Sequence, residues 1–288
     1  MDVELGEFLR ACRSRLRPAD VGLPPPTSRR RVTGLRREEL AQLAGVSADY
    51  YTRLEQGRNR TASPAVLDAL ARALCLDDTG RAHLFDLAGS SLAQPRRGLP
   101  RAQQVRPTTV RLLEVLDGTF CPAFVLGRRT DILLTSRLAA ALMVDFDALP
   151  VQERNYARFM FLDPYSRKLY PDWEEVAANI AAMLRLDAGR HPGDPWLDEL
   201  VEDLSAASEP FRRCWAEHQV HEHTDGPKRY RHPVVGDLTV TYQALMVMAA
   251  DDQELVVYTT EPGSASERAI RLLADWETSA ARGRGTRK

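Results

Sequence analysis

Along the front third of the chain, apolar residues recur with the spacing of helix faces. Leu5, Phe8, Leu9, Cys12 and Leu16 share one face of a helix that Pro18 ends. A Pro- and Gly-rich stretch containing the triplet Arg29, Arg30 and Arg31 follows and predicts a long basic loop. Leu40, Leu43 and Ala44 mark a short second helix, with Glu38 and Glu39 set against the positive end of its dipole and Gly45 closing it. Ser47 is placed to cap a third helix by accepting an unpaired backbone N–H, with Val46, Tyr51 and Leu54 inward. Ser63 and Pro64 repeat that start signal before Val66, Leu67, Leu70, Ala71 and Leu74, and Leu84, Phe85 and Ala88 supply a fifth helix.

From 89 to 109 the periodicity disappears into Gly, Ser, Pro and Arg, the composition of an exposed linker. Beyond it a helix is expected around 110–117, then apolar runs at 123–126 and 132–134 that read as a hairpin. Helical spacing returns over 172–186 and 196–218, interrupted near Gly189–Pro195 and at Pro210. After Val220, β-prone runs divided by turn residues predict an antiparallel meander. A last helix turns Ala269, Leu272, Leu273 and Trp276 inward, and RGRGTRK reads as a frayed basic tail. The expected architecture is multidomain: an all-α domain of five helices (1–89), a linker (90–109), an α+β domain with an antiparallel sheet (110–277) and a flexible tail (278–288).

Composition sharpens this division. The chain has 288 residues with 44% hydrophobic and 27% charged, values of an ordinary globular protein rather than a disordered one. Its net charge of -1 hides 19 Lys/Arg against 12 Asp/Glu up to Arg111, and 20 against 28 after it. The basic front favours a polyanion, which the acidic back should repel. No apolar stretch approaches the ~20 residues of a membrane helix and the amino terminus has no signal pattern, so a cytoplasmic protein without membrane association is expected. Cys12, Cys75, Cys121 and Cys214 are too scattered for a zinc ribbon or disulfide frame and read as thiols.

Two short helices joined across Ala44, Gly45, Val46 and Ser47 form a helix-turn-helix signature. With Val46, Tyr51 and Leu54 inward, the third helix presents Ala48, Asp49, Thr52 and Arg53 to a major groove, with Tyr50 at the border and Ser47 at its start. Arg53 is the expected base reader, because a guanidinium fits guanine O6 and N7 in two-point fashion, while Ala48 and the Thr52 methyl suit thymine methyls. Arg36, Arg37, Arg58 and Arg60 flank that helix and are expected on phosphates. The run LRREELAQLAGVSADYYTRLEQGR resembles the xenobiotic-response-element-like helix-turn-helix family through Leu40, Ala41, Gly45, Val46, Ser47, Leu54, Glu55 and Gly57. Arg36 stands where that family usually has Ser or Thr.

The whole chain resembles the MmyB-like transcription regulators, through segments that include RNYARFMFLDP, LYPDW, GRHPGDPWLDELV, FRRCW, KRYRHPVVG and TEPGS. That resemblance implies a PAS-like sensor behind the DNA-binding domain, holding a small apolar or fatty-acid-like effector between sheet and helices. Thr135 and Ser136 replace a Trp-Asn pair common in the family. The expected walls are Phe124, Leu126, Phe159, Phe161, Trp215, Tyr242, Leu245 and Met246, each of which also suits plain core, and Arg154 or Arg158 is the expected anchor for an acidic head. His218, His221, His223 and His232 are close enough to test for a metal, but no matching carboxylate or cysteine frame follows, and structural imidazoles are preferred. No phosphate loop, H-E-x-x-H or G-x-S-x-G is present, which argues against an enzyme and against any required cofactor. The expected function is a transcription regulator that binds duplex DNA and a small effector, as a homodimer, with RNA polymerase as a further candidate partner. Its rivals are a constitutive regulator whose back domain only dimerises or contacts a protein, and an enzyme fused to a DNA-binding domain.

Overall fold

The computed structural model describes residues 2–23, 34–58, 62–89, 103–218, 224–248 and 252–285. The Arg29–Arg31 triplet, Arg60, His221, His223 and most of the expected linker lie outside them. Among the described residues no helix is long and apolar enough to cross a membrane. The chain folds as two compact units that do not follow a single cut: one comprises 1–99, 185–199 and 213–222, the other 100–184, 200–212 and 223–288.

The first unit is built on α1 (Asp2–Arg15), α2 (Arg37–Leu43), α3 (Ala48–Glu55), α4 (Pro64–Ala73) and α5 (Asp78–Gly89). Local signals set these boundaries. Gly45 takes φ 66°, the left-handed conformation that lets the Val46 N–H return to Ala41 O at 3.0 Å. Ser47 Oγ accepts from Tyr50 N at 3.1 Å, and Ser63 Oγ from Val66 N at 3.4 Å. At Arg36 the cap is replaced from the other side, since the Glu39 carboxylate accepts the Arg36 N–H at 2.7 Å. The inward faces of all five helices merge into one core around Phe8, Leu9, Leu40, Tyr51, Leu54, Leu70 and Leu84. Gly6 brings α1 against the end of α3, where an added Cβ would stand 2.4 Å from Glu55 O.

The second unit contains α6 (Pro107–Gly118), β1 (Ala123–Leu126), β2 (Ile132–Thr135), α7 (Arg137–Leu142), α8 (Tyr156–Leu162) and α9 (Pro164–Leu169). There follow α10 (Trp173–Arg190), α11 (Pro195–Ala207), α12 (Glu209–Ala216), β3 (Asp225–His232), β4 (Gly236–Met246), β5 (Glu254–Thr259) and α13 (Ala265–Gly285), with parts of α10, α11 and α12 counted in the first unit. The sheet runs β2-β1-β5-β4-β3 and is antiparallel throughout. This is the expected α+β domain with an antiparallel sheet, here of five strands. One sheet face, with Ala123, Val125 and Leu255, packs on Leu113 of α6. The other carries Phe124, Tyr242, Val256 and Tyr258, in a register that pairs Phe124 with Val256 and Tyr242 with Tyr258.

Three expectations about this unit need correction. Residues 103–109 are ordered structure rather than linker: Gln103 Oε1 accepts from Arg128 N at 2.7 Å, Gln253 donates to Gln104 O at 3.1 Å, and Pro107 opens α6. In α13 the inward residues are Ala269, Ile270 and Leu273, whereas Leu272 and Trp276 are exposed. Each residue advances a helix by about 100°, so choosing Ile270 for the buried arc turns Leu272 away from it. The same helix continues to Gly285, past the point where a flexible tail was expected.

Candidate functional site

Two places in the fold gather the chemistry singled out in the sequence. The first is the outer side of α3. Asp49 and Arg53 are exposed, Thr52 is half-buried, and Arg53 forms an i,i+4 ion pair with Asp49 at 2.9 Å. Such an exposed pair is worth only about 0.3–0.5 kcal/mol, so it orients the guanidinium without withholding it from a stronger partner. Tyr50 is half-buried, packed against the core. Ala48, expected in the groove, is half-buried against the core. Arg36 and Arg58 are exposed beside the helix ends.

Arg37 departs from its expected role. Its guanidinium lies 2.7 Å from Glu55 Oε1, and the same carboxylate receives Arg13 at 2.8 Å, with Arg10 at 3.6 Å. Glu55 is 2% exposed. Burial pushes its pKa up, but the hydrogen bonds from Arg13 and Arg37 outweigh this and hold it below the ordinary carboxylate range. The sequence contained the signal, a glutamate in the L-E-x-G skeleton, without saying which cations would reach it. Arg37 is therefore part of what positions α3, where phosphate contact had been expected.

The second place is a cavity of about 200 Å³ between α10 and the inner sheet face. Its floor is Phe124, Leu126, Tyr242, Ala244 and Val256, and α10 closes it with Val176, Ile180 and Met183. These last positions recur at i, i+4 and i+7, so the helix lays one apolar stripe over the strands. Of the expected walls, Phe124, Leu126 and Tyr242 line this space. The others do not. Phe159 packs on Phe146, Phe161 lies between Trp173 and Phe211, and Trp215 belongs to the first unit, with Arg185 3.7 Å above its ring. Leu245 pairs with Leu255 on the opposite sheet face, and Met246 is 76% exposed at the strand end.

Neither arginine expected as an anchor lines the cavity. Arg154 is engaged with Asp147 at 3.0 Å and with two backbone carbonyls, and Arg158 with Asp203 at 2.5 Å. Two cations line the cavity: Arg229, whose guanidinium is held by Asp172, and Lys228, on the inward face of β3. Its ammonium donates to Tyr156 Oη at 3.4 Å and lies 4.8 Å from the Tyr242 ring centre, 5.5 Å from that of Tyr156 and 5.7 Å from that of Tyr258. Burial works against its charge, yet the phenol groups of Tyr156 and Tyr258 more than offset this and its pKa lies above the ordinary lysine value. Tyr156 in turn shares a 3.0 Å hydrogen bond with Tyr170, whose phenol burial keeps neutral. The sequence reading missed Lys228, although the chain contains only three lysines beside 36 arginines.

Ser136, where the family departure falls, is a buried cap whose Oγ accepts from Ala139 N at 3.2 Å and from Ala123 N at 3.1 Å. His232 uses both ring nitrogens within the fold, Nε2 with Ala141 O and Nδ1 with the N–H groups of Val234 and Val235. His218 lies 3.7 Å from Glu7. Among the described residues no cluster of three metal-ligating side chains is present.

Against known families, the model for the MmyB-like transcription regulator ligand binding domain matches residues 105–273, and a helix-turn-helix domain model matches residues 4–84. No curated protein matches the chain.

Proposed function

The chain belongs to the MmyB-like transcription regulators, joining a helix-turn-helix DNA-binding domain to a ligand-binding domain, and on that premise we propose that a small apolar, fatty-acid-like molecule in the cavity beneath α10 sets its affinity for an operator. The observation that carries this reading is the cavity itself, an apolar floor on the sheet faced by the apolar stripe of α10. A ligand lodged there exchanges water for the side chains of Phe124, Val256, Ile180 and Met183. Each methylene so buried contributes about 0.8 kcal/mol. If the ligand prefers one arrangement of the domain, its binding shifts the population between DNA-competent and incompetent states. The ligand leaves chemically unchanged, and the protein works in the cytoplasm as a homodimer on paired half-sites about 34 Å apart.

Calorimetry on the intact, delipidated protein tests this with alkanoic acids of increasing chain length. Affinity rising with length to a limit is expected, and affinity independent of length would sink the reading. Regulation requires more: the ligand must change operator affinity by the factor by which operator changes ligand affinity. Mass spectrometry of the recovered ligand tests whether it is returned intact, and light scattering of the protein on operator DNA tests the dimer.

A further inference from the structure

We propose that Lys228, in its tyrosine cage, is the head-group site of the cavity and selects ligands whose apolar tail ends in a carboxylate or equivalent anion. This rests on the reading of the cavity as the ligand site and adds to it the chemistry of one end. Three observations converge on it. An ammonium facing three aromatic rings is stabilised in part, but a ring face and a phenol oxygen supply less than a full counter-charge. Among the described residues the Lys228 ammonium has phenol partners in Tyr156 and Tyr258 and no carboxylate in ion-pair range. With Tyr156 and Tyr258 both engaging the ammonium, one of its three N–H groups is left for a ligand.

The cavity is also polarised along its length. Lys228, whose ammonium neighbours the Tyr258 ring on β5, stands at one end, and Glu254, four residues before Tyr258 on that strand and paired in register with Leu126, stands at the other. At the rise of an extended strand that separates the ends by about 13 Å. Between them lie Phe124, Ala244 and Val256 on the sheet and Ile180 and Met183 on α10. An acid bound with its head at Lys228 gains an ion pair there. Glu175 and Asp225 are exposed at the cavity rim, where salt screens them, and Asp172 is held by Arg229.

A lysine suits this task better than the arginines that dominate the chain. Its compact ammonium fits among three rings, where a planar guanidinium would need a wider slot. The tyrosines also bind the site to the fold, because Tyr156, Tyr242 and Tyr258 come from α8, β4 and β5 and close on the same ammonium.

The test is calorimetry at pH 7.5 with dodecanoate, methyl dodecanoate and dodecylammonium, on the intact delipidated protein and on Lys228→Met. In the unmodified protein the acid is expected to bind at least about tenfold tighter than the ester, the size of one charge-assisted hydrogen bond, and the ammonium weakest. In Lys228→Met the acid should fall to the level of the ester while the ester is unchanged. Equal binding of acid and ester by the unmodified protein would overturn the head-group assignment and leave the apolar cavity standing. Absence of binding by all three would remove the underlying reading instead. The melting temperature separates a third outcome: Lys228→Met is expected to be as stable as the parent, and a large fall with loss of acid and ester together would make Lys228 a structural residue and refute the proposal.

Discussion

Arg13 and Glu55 meet through two parallel contacts, Nε to Oε2 at 2.8 Å and the terminal amino group to Oε1 at 2.9 Å, which lock the first helix to the last residue of the reading helix. Arg13 also donates to Leu35 O at 2.6 Å, and Arg37 closes on the same carboxylate from α2. Three helices therefore share one buried charge cluster, and the angle at which α3 is presented depends on it. Removing one partner of a buried pair strands the other, which costs more than the intact pair contributes.

Glu55→Gln should accordingly destabilise the protein by about 1.5–3 kcal/mol, the scale of charge-assisted hydrogen bonds whose arginines keep some contact with water. Urea denaturation measures this directly. A loss below 1 kcal/mol would mean that the arginines find other partners and that the cluster is not what holds α3.

Gly6→Ala should act on the same junction by sterics alone. The new Cβ would have to stand 2.4 Å from Glu55 O, a backbone atom that cannot swing aside. Overpacking of this kind costs about 1–3 kcal/mol, and a variant as stable as the parent would show that α1 and α3 are not so closely apposed.

On DNA, Arg53→Ala should relax sequence preference by about 1–3 kcal/mol, and Arg58→Ala should weaken operator and random duplexes alike. Arg37→Ala should lower the melting temperature and leave the salt dependence of binding unchanged, because its guanidinium is already on Glu55. Fluorescence anisotropy over a salt series separates the three. A shallower salt slope for Arg37→Ala would return that residue to the phosphates.

Stability should fall on mild acidification through His83. The ring is 1% exposed, edge-on to Phe8 at 5.0 Å, and neither nitrogen has a hydrogen-bond partner among the described residues. Burial, aided by the charges of Arg185, His218 and Arg190, lowers its pKa to about 3. The unfolded chain takes up this proton near pH 6.5 and the folded one only near 3, so stability is full above 6.5 and declines progressively between these values. His218, lowered to about 4 mainly by burial, adds to the same window, and Glu55 adds a further loss once carboxylates protonate. Urea midpoints at pH 7.5 and 5 should differ clearly in the parent and less in His83→Phe. An unchanged difference would clear His83 of the effect.

What the sequence determined by itself was the local part of this protein. Gly45, Ser47, Ser63 and Pro64 fixed where helices stop and start, because a left-handed turn or a capped N–H needs only its immediate neighbours. Apolar and β-prone runs between turn residues were enough to anticipate the strands, and the change in charge along the chain separated its basic and acidic parts. Tertiary structure decided the partnerships. Arg36 and Arg37 are adjacent and chemically identical, yet one is exposed and the other grips Glu55, 18 positions on. Arg154 and Arg158 looked like a head-group pair, but Asp147 and Asp203 fall within their reach. Leu272 fits the helical stripe as well as Ile270, and only the neighbours of α13 choose between them. The cage of Lys228 joins three segments that no local pattern relates. Periodicity is set by backbone geometry and is therefore legible along the chain, whereas the pairing of a long charged side chain depends on which opposite charge or ring the fold carries to within a few ångströms of it.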